Sequence, residues 1–253
     1  MEMKRGIYCV AFGDPARKCC ERMIKSARRH LPDVPIMLCS DKPLGLEDLF
    51  TPQPDSDIGG RGAKLLAYEL TPPEWESVLY LDADTEIVGD IRFYFQLVED
   101  GWEFVICKDP MREDVAQLPR HKYEAMELVE LEAAMGGTLH TLMLNGGVWA
   151  FSRGKRVAAF FKRWLAEWQK HAMRDQGALL RALYADPLKI YVLGNEWNFF
   201  PAYSSRATSP AGLMHYPGQA RRWGGQIPGR LDSKTAWSHV KEWQAKTRQR
   251  NGR

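Results

Sequence analysis

No stretch of this chain approaches the roughly 20 apolar residues that a membrane-spanning helix needs. The apolar run within its opening MEMKRGIYCVAFGDP is too short for the core of a secretion signal and reads as a first strand. Charge of either sign is also scarce in excess: 35 Lys and Arg against 32 Asp and Glu leave a net +3 over 253 residues. A balance so even argues against a nucleic-acid partner. Internal repeats, low-complexity tracts and linkers are missing, which excludes solenoid and collagen-like architectures. The five cysteines (Cys9, Cys19, Cys20, Cys39 and Cys107) are odd in number and lack the spacing of a disulfide framework, so a reducing, cytoplasmic compartment is expected. With 45% hydrophobic and 26% charged residues, the chain has the composition of a soluble globular protein long enough for one substantial core.

The pattern along the chain alternates between strand and helix. GIYCVAF (6–12) is a short apolar run, after which Asp14-Pro15 predicts the N-cap and first-turn proline of a helix carrying Cys19, Met23 and Ile24. VPIMLC (34–39) repeats the strand, and a loop rich in Pro, Asp and Gly is expected from Ser40-Asp41 to Gly60. A helix is predicted over 61–70, then a buried strand at 78–81 that stops at Asp82. Further strands are expected at 102–107, 142–151 and 189–193, with helices at 119–134, 155–170 and 174–185. This order predicts an α/β fold, a mostly parallel sheet flanked by helices, in one domain spanning 1–253. Residues 195–253, richer in Pro and Gly, read as an extension wrapping that domain. Ligands of such sheets bind beyond the carboxyl ends of the strands.

The strongest local signal is VLYLDADTEIVGD (78–90). On an extended chain alternate side chains share a side, so Asp82 and Asp84 would project together at a strand end. Two carboxylates that close repel unless a cation or strong donors offset the charge, and together they make half of a divalent-cation site. The plain alternative is an acidic strand exit. An EF-hand is excluded, since the sixth position from Asp82 is Ile87 where glycine is needed and the twelfth is Phe93 where glutamate is needed. An apolar strand ending in this pair also resembles the first motif of haloacid-dehalogenase phosphatases, with Asp82 as nucleophile and Asp84 as general acid. That family needs a late acidic pair, and acidic residues beyond 150 are few and scattered.

HYPGQARRW (215–223) settles the preference, because it resembles the H-x-x-G-x-x-K-P-W element of glycosyltransferase family 8, the glycogenin-like and lipopolysaccharide-galactosyltransferase-like retaining enzymes. His215, Gly218 and Trp223 match, Arg221 stands at the lysine position, and Arg222 replaces the proline. The resemblance implies a GT-A fold in which Asp82, Asp84 and His215 hold one Mn²⁺ bridging the diphosphate of a UDP-sugar, and 195–253 then completes the metal site. Two carboxylates, one imidazole and phosphate oxygens suit Mn²⁺ better than Mg²⁺, which stays as the alternative.

Other elements resemble the family in the same order. Ala11 and Phe12 at the first strand end, Asp41 at the second, and Ala83 between the aspartates would meet the donor nucleotide. Lys64 would contact the donor with Arg61 beside it, the plainer reading being a solvated helix face. In LMLNGGVWAFSR (142–153), Asn145 and Gly146 would lie against the donor sugar, the glycine marking either close backbone approach or a bulge. Asp175 and Gln176 would reach sugar hydroxyls and the reacting centre, unless Asp175 merely caps a helix. Trp197 and Asn198 would floor an acceptor site or pack in the core, and Trp164 and Trp168, at helical spacing, read as core.

The implied activity is a hexosyl transfer to a carbohydrate or other hydroxyl-bearing acceptor, with Arg221, Asp175 and Gln176 as catalytic candidates. A nucleotide-sugar-binding module without turnover is the non-enzyme alternative. The tail from Leu231, with Trp237, Val240 and Trp243 followed by Lys246, Arg248, Arg250 and Arg253, would suit weak contact with an anionic membrane surface, or it is a frayed solvated helix.

Overall fold

Strand β1 (Arg5–Ala11) is buried along nearly its whole length, as a central strand covered on both faces must be. A computed structural model describes this strand and the rest of residues 4–52, 59–118, 125–172, 174–201 and 211–216. Helix α1 (Asp14–His30) follows, burying Cys19, Cys20, Met23, Ile24 and Ala27 on one stripe. Its cap is Gly13, at φ 80°, and not the expected Asp14, which lies inside the first turn with Pro15. The chain turns there through the left-handed region, where glycine avoids the cost of a Cβ.

β2 (Ile36–Ser40) comes next, and the stretch expected to be all loop contains a short edge strand, β3 (Leu49–Thr51). The predicted helix over 61–70 is broken at Leu66 into α2 (Gly59–Leu65) and α3 (Ala67–Leu70). β4 (Ser77–Asp82), β5 (Thr85–Ile87) and α4 (Phe93–Glu99) lead to β6 (Phe104–Lys108). Helix α5 (Ala125–Ala134) represents the predicted helix over 119–134, whose first six residues lie outside the described ones. β7 (Leu144–Ser152), α6 (Lys155–Gln169), α7 (Asp175–Ala185) and β8 (Ile190–Leu193) match expectation within two residues, and β9 (Leu213–His215) ends the described chain.

The main sheet has seven strands in the order β3-β2-β1-β4-β7-β6-β8. All pairs are parallel except those made by β7, which runs against both β4 and β6. The carboxyl ends of β1, β2, β4 and β6 therefore share one edge with the beginning of β7. A separate two-stranded sheet joins β5 to β9, antiparallel, with Thr85 opposite His215.

Period-two alternation divides the strands between two cores. Ile7, Cys9, Leu38, Leu79, Leu81, Val105 and Val148 face α1 and α4. Tyr8, Val10, Met37, Tyr80, Phe104, Ile106, Trp149 and Phe151 face α2, α6 and α7. On the second side Trp149 stacks on Tyr80 at 4.6 Å and meets Trp164 at 5.6 Å. Trp164 and Trp168 are core, as their spacing predicts. Fully burying one large apolar side chain contributes about 1.5–3 kcal/mol, so this aromatic layer is a main source of cohesion. It also fixes the site edge, since Trp149 Nε1 donates to the Gly146 carbonyl and Trp164 Nε1 to that of Asp175.

Candidate active site

Asp82 is the last residue of β4, and Ala83 and Asp84 form a turn before β5 begins at Thr85. The aspartates are thus brought together by a turn, closed by the Thr85 hydroxyl donating to the Asp82 carbonyl at 2.8 Å, and not by strand alternation. His215 arrives on β9 through its pairing with β5. Its Nε2 lies 3.2 Å from Asp84 Oδ1 and 3.8 Å from Asp82 Oδ2. Ligand atoms of Asp82, Asp84 and His215 all fall within 4.8 Å of one another. Donors about 2.1 Å from one octahedral ion sit about 3 Å apart at right angles, so these spacings fit a single divalent cation.

Charge around the cluster is graded. Tyr80 donates its hydroxyl to Asp82 Oδ1 at 2.6 Å, and Lys64 Nζ lies 3.6 Å from the same oxygen. Burial pushes the Asp82 carboxyl up, Lys64 pulls it down, Asp84 pushes it up again, and the net direction is upward. That is the state of a carboxylate pair calling for a cation. Lys64 is buried, contrary to a solvated helix face, and donates to Asp175 Oδ2 at 2.6 Å. Burial lowers its pKa, but the carboxylates of Asp175 and Asp82 overcome this and raise it. Burial raises the Asp175 carboxyl in turn, and Lys64, by charge and hydrogen bond, brings it below its ordinary value. Asp175 opens α7 without capping it, since Arg174 occupies the cap.

The two glycines of β7 are places where no side chain fits. A Cβ on Gly147 would stand 2.4 Å from His215 Cε1 and 2.7 Å from Asp82 Oδ2, and one on Gly146 would stand 2.9 Å from Asp175 Oδ2. The bulge reading of this segment holds, since the register with β6 shifts here: Ile106 pairs with Trp149 and Cys107 with Asn145, so the backbone bulges where the glycines meet the side chains of the site.

Several of the expected site residues also make contacts within the protein. Asn145 is buried, donating to Asp109 Oδ2 at 3.1 Å and accepting at Oδ1 from the Gly147 amide at 3.0 Å. Asn198, expected on an acceptor floor, is fully buried and hydrogen-bonds His215 Nδ1 at 2.8 Å. Trp197 packs against Phe93 and Tyr94, the core alternative. Gln176 Nε2 donates to Asp109 Oδ2 at 3.0 Å and to the Leu144 carbonyl at 3.2 Å. Asp41 accepts from the Gly13 amide and pairs with Arg17, which holds its carboxyl down at about 2. Ala11 ends β1 in the core, with Phe12 and Ala83 partly buried beside it. Gly218 and Arg221 lie outside the described residues, as does the basic tail.

Sequence reasoning missed Gly147, Tyr80 and Asp109. Gly147 was legible as the second glycine of the pair, and Tyr80 sits two residues before Asp82 on the same strand face; Asp109 carries no local signal.

No protein-family model matches the chain, and no curated protein matches it. Solved structures do. A glycosyltransferase GlyE of Streptococcus pneumoniae matches with a TM-score of 0.63 at 16% identity, covering 97% of this chain and 64% of that one. Mouse xyloside xylosyltransferase 1 matches at 0.60 and 13%, covering 89% and 100%. An active-site mutant of LgtC matches at 0.57 and 17%, covering 94% and 95%. At such identities the likeness is one of fold, and the chain has the GT-A fold that the family-8 resemblance implies.

Proposed function

We propose that this chain is a metal-dependent glycosyltransferase moving a hexose from a UDP-sugar to a carbohydrate or other hydroxyl-bearing acceptor, with retention. The convergence of Asp82, Asp84 and His215 at the carboxyl edge of a GT-A sheet carries this reading. The donor set of two carboxylates and one imidazole suits Mn²⁺, with Mg²⁺ as the weaker alternative. When bound, the ion supplies positive charge to the departing diphosphate. Lys64, held by Asp175, adds a fixed cation beside Asp82, and Arg221 is assigned to the leaving phosphate with Gly218 against it. Ala11, Phe12, Asp41 and Ala83 border the nucleotide. Gln176, whose amide nitrogen is tied to Asp109 and Leu144, is assigned to the sugar. Asp175, already ion-paired, positions Lys64 and does not attack.

None of the five cysteines is in a disulfide, which suits the cytoplasmic location we assign. No described helix is long and apolar enough to cross a membrane. We take 1–253 as one domain.

The test is thermal denaturation with a panel of nucleotide sugars, with and without Mn²⁺. A true donor at 100 times its Kd stabilises by about 2.7 kcal/mol, and only with the ion. Slow donor hydrolysis under the same conditions marks the enzyme over the binding module. The proposal fails if no nucleotide sugar stabilises in an Mn²⁺-dependent way. Release of phosphate from a phosphomonoester, dependent on Asp82 and indifferent to His215, would establish the phosphatase instead.

A further inference from the structure

Behind His215 runs a chain of hydrogen bonds whose direction is set at its far end. Asp109, on the loop after β6, accepts from the backbone amides of Met111 at 2.8 Å and Arg112 at 3.0 Å through Oδ1. Its Oδ2 accepts from Asn145 Nδ2. Asn145 must therefore turn its oxygen the other way, and it does so toward a second fixed donor, the Gly147 backbone N–H at 3.0 Å. The same oxygen accepts from Asn198 Nδ2 at 2.8 Å. Asn198 is left with its carbonyl oxygen facing His215 Nδ1, 2.8 Å away. A carbonyl oxygen only accepts, so the imidazole must carry its proton on Nδ1. Flipping either amide would set donor against donor or oxygen against oxygen inside the protein, where an unmade hydrogen bond costs about 1–3 kcal/mol.

We propose that Asn198, oriented through Asn145 by Asp109 and the Gly147 amide, is a positioning residue that locks His215 as the Nδ1–H tautomer and keeps the Nε2 lone pair aimed at Asp82 and Asp84. Phe200, edge-on to the imidazole at 4.6 Å, limits its rotation. The imidazole is thereby oriented with Nε2 toward the carboxylates before any ion arrives, and an ion bound there displaces any proton they hold on Nε2. The preference for Nε2–H that a free histidine side chain shows in water is reversed here by the protein, which makes the tautomer diagnostic. The tautomer stands without the functional proposal; only its consequence for metal affinity rests on the metal-site reading.

The experiment is long-range ¹H–¹⁵N NMR of metal-free, histidine-labelled protein in alkaline buffer, with His215→Gln assigning the signal. The wild type should show His215 protonated on Nδ1. Asn198→Leu should let Nε2–H appear and weaken Mn²⁺ binding, read by EPR with Mn²⁺ alone, about 10–100-fold. Asn198→Asp, which keeps an acceptor for Nδ1–H, should hold the wild-type tautomer, at a cost in stability because it sets an oxygen against Asn145 Oδ1. A wild-type proton on Nε2 overturns the proposal, and that measurement stands even if Asn198→Leu does not fold. So does an Asn198→Leu protein that keeps both tautomer and Mn²⁺ affinity. Failure of the nucleotide-sugar panel with the tautomer intact would instead remove the glycosyltransferase reading alone.

Discussion

Gly147 shows how one missing side chain makes room for chemistry. Its Cα faces both His215 and Asp82 so closely that a methyl group has nowhere to go without moving a ligand. Gly147→Ala is expected to cost about 1–3 kcal/mol in stability from overpacking and to weaken Mn²⁺ binding at least tenfold, checked by thermal denaturation and EPR titration. An alanine variant with unchanged Mn²⁺ affinity would remove Gly147 from the site. Asp82 makes the opposite case, a group that strains the apo protein. Its folded pKa is raised, so the folded state holds the proton more tightly than the unfolded chain, and the ionised form costs stability. That cost is absent below the unfolded carboxylate value of about 3.9 and complete above the raised folded one. At neutral pH, Asp82→Asn should therefore raise the metal-free Tm while abolishing stabilisation by Mn²⁺. A lower metal-free Tm would mean that the attraction of Lys64 outweighs burial.

At the scale of elements, the pair Lys64–Asp175 ties α2 to α7 across the site edge. Removing one buried partner leaves the other uncompensated, so Lys64→Met should destabilise by about 3–5 kcal/mol, and Asp175→Leu added to it should recover much of the loss. Additive losses in the double variant would show that the ion pair is not what joins the helices. Elements of this length were readable in the sequence because their patterns repeat: β1, β4, α6 and α7 each offer several periods of burial. β3, β5 and β9 have three residues each, too few to display alternation. α4, FYFQLVE, buries Tyr94, Phe95, Leu97 and Val98 and has no side-chain cap, so nothing marked its start. The metal-site candidates were legible because D-x-D and the histidine element are local motifs. The hydrogen-bond chain behind His215 was not, since Asn198 meets Asn145 from 53 residues away and Asn145 meets Asp109 from 36.

For the whole molecule, β9 pairs with β5 and with no strand of the main sheet, and it enters the core under α1 and α4 through Leu213 alone. Met214→Pro, placed opposite Glu86 in that small sheet, should leave the far-UV circular dichroism near that of the wild type and abolish Mn²⁺ binding. Global unfolding of this variant would show that the main sheet cannot hold without β9. The same arrangement sets an order of events during synthesis on the ribosome. Asp82 and Asp84 emerge 131 and more residues before His215, with β7, α6 and α7 between. A nascent chain can thus close its whole seven-stranded sheet before the three side chains of the cluster meet, and under the proposed metal site it would take up the ion only when the last described strand has left the exit tunnel.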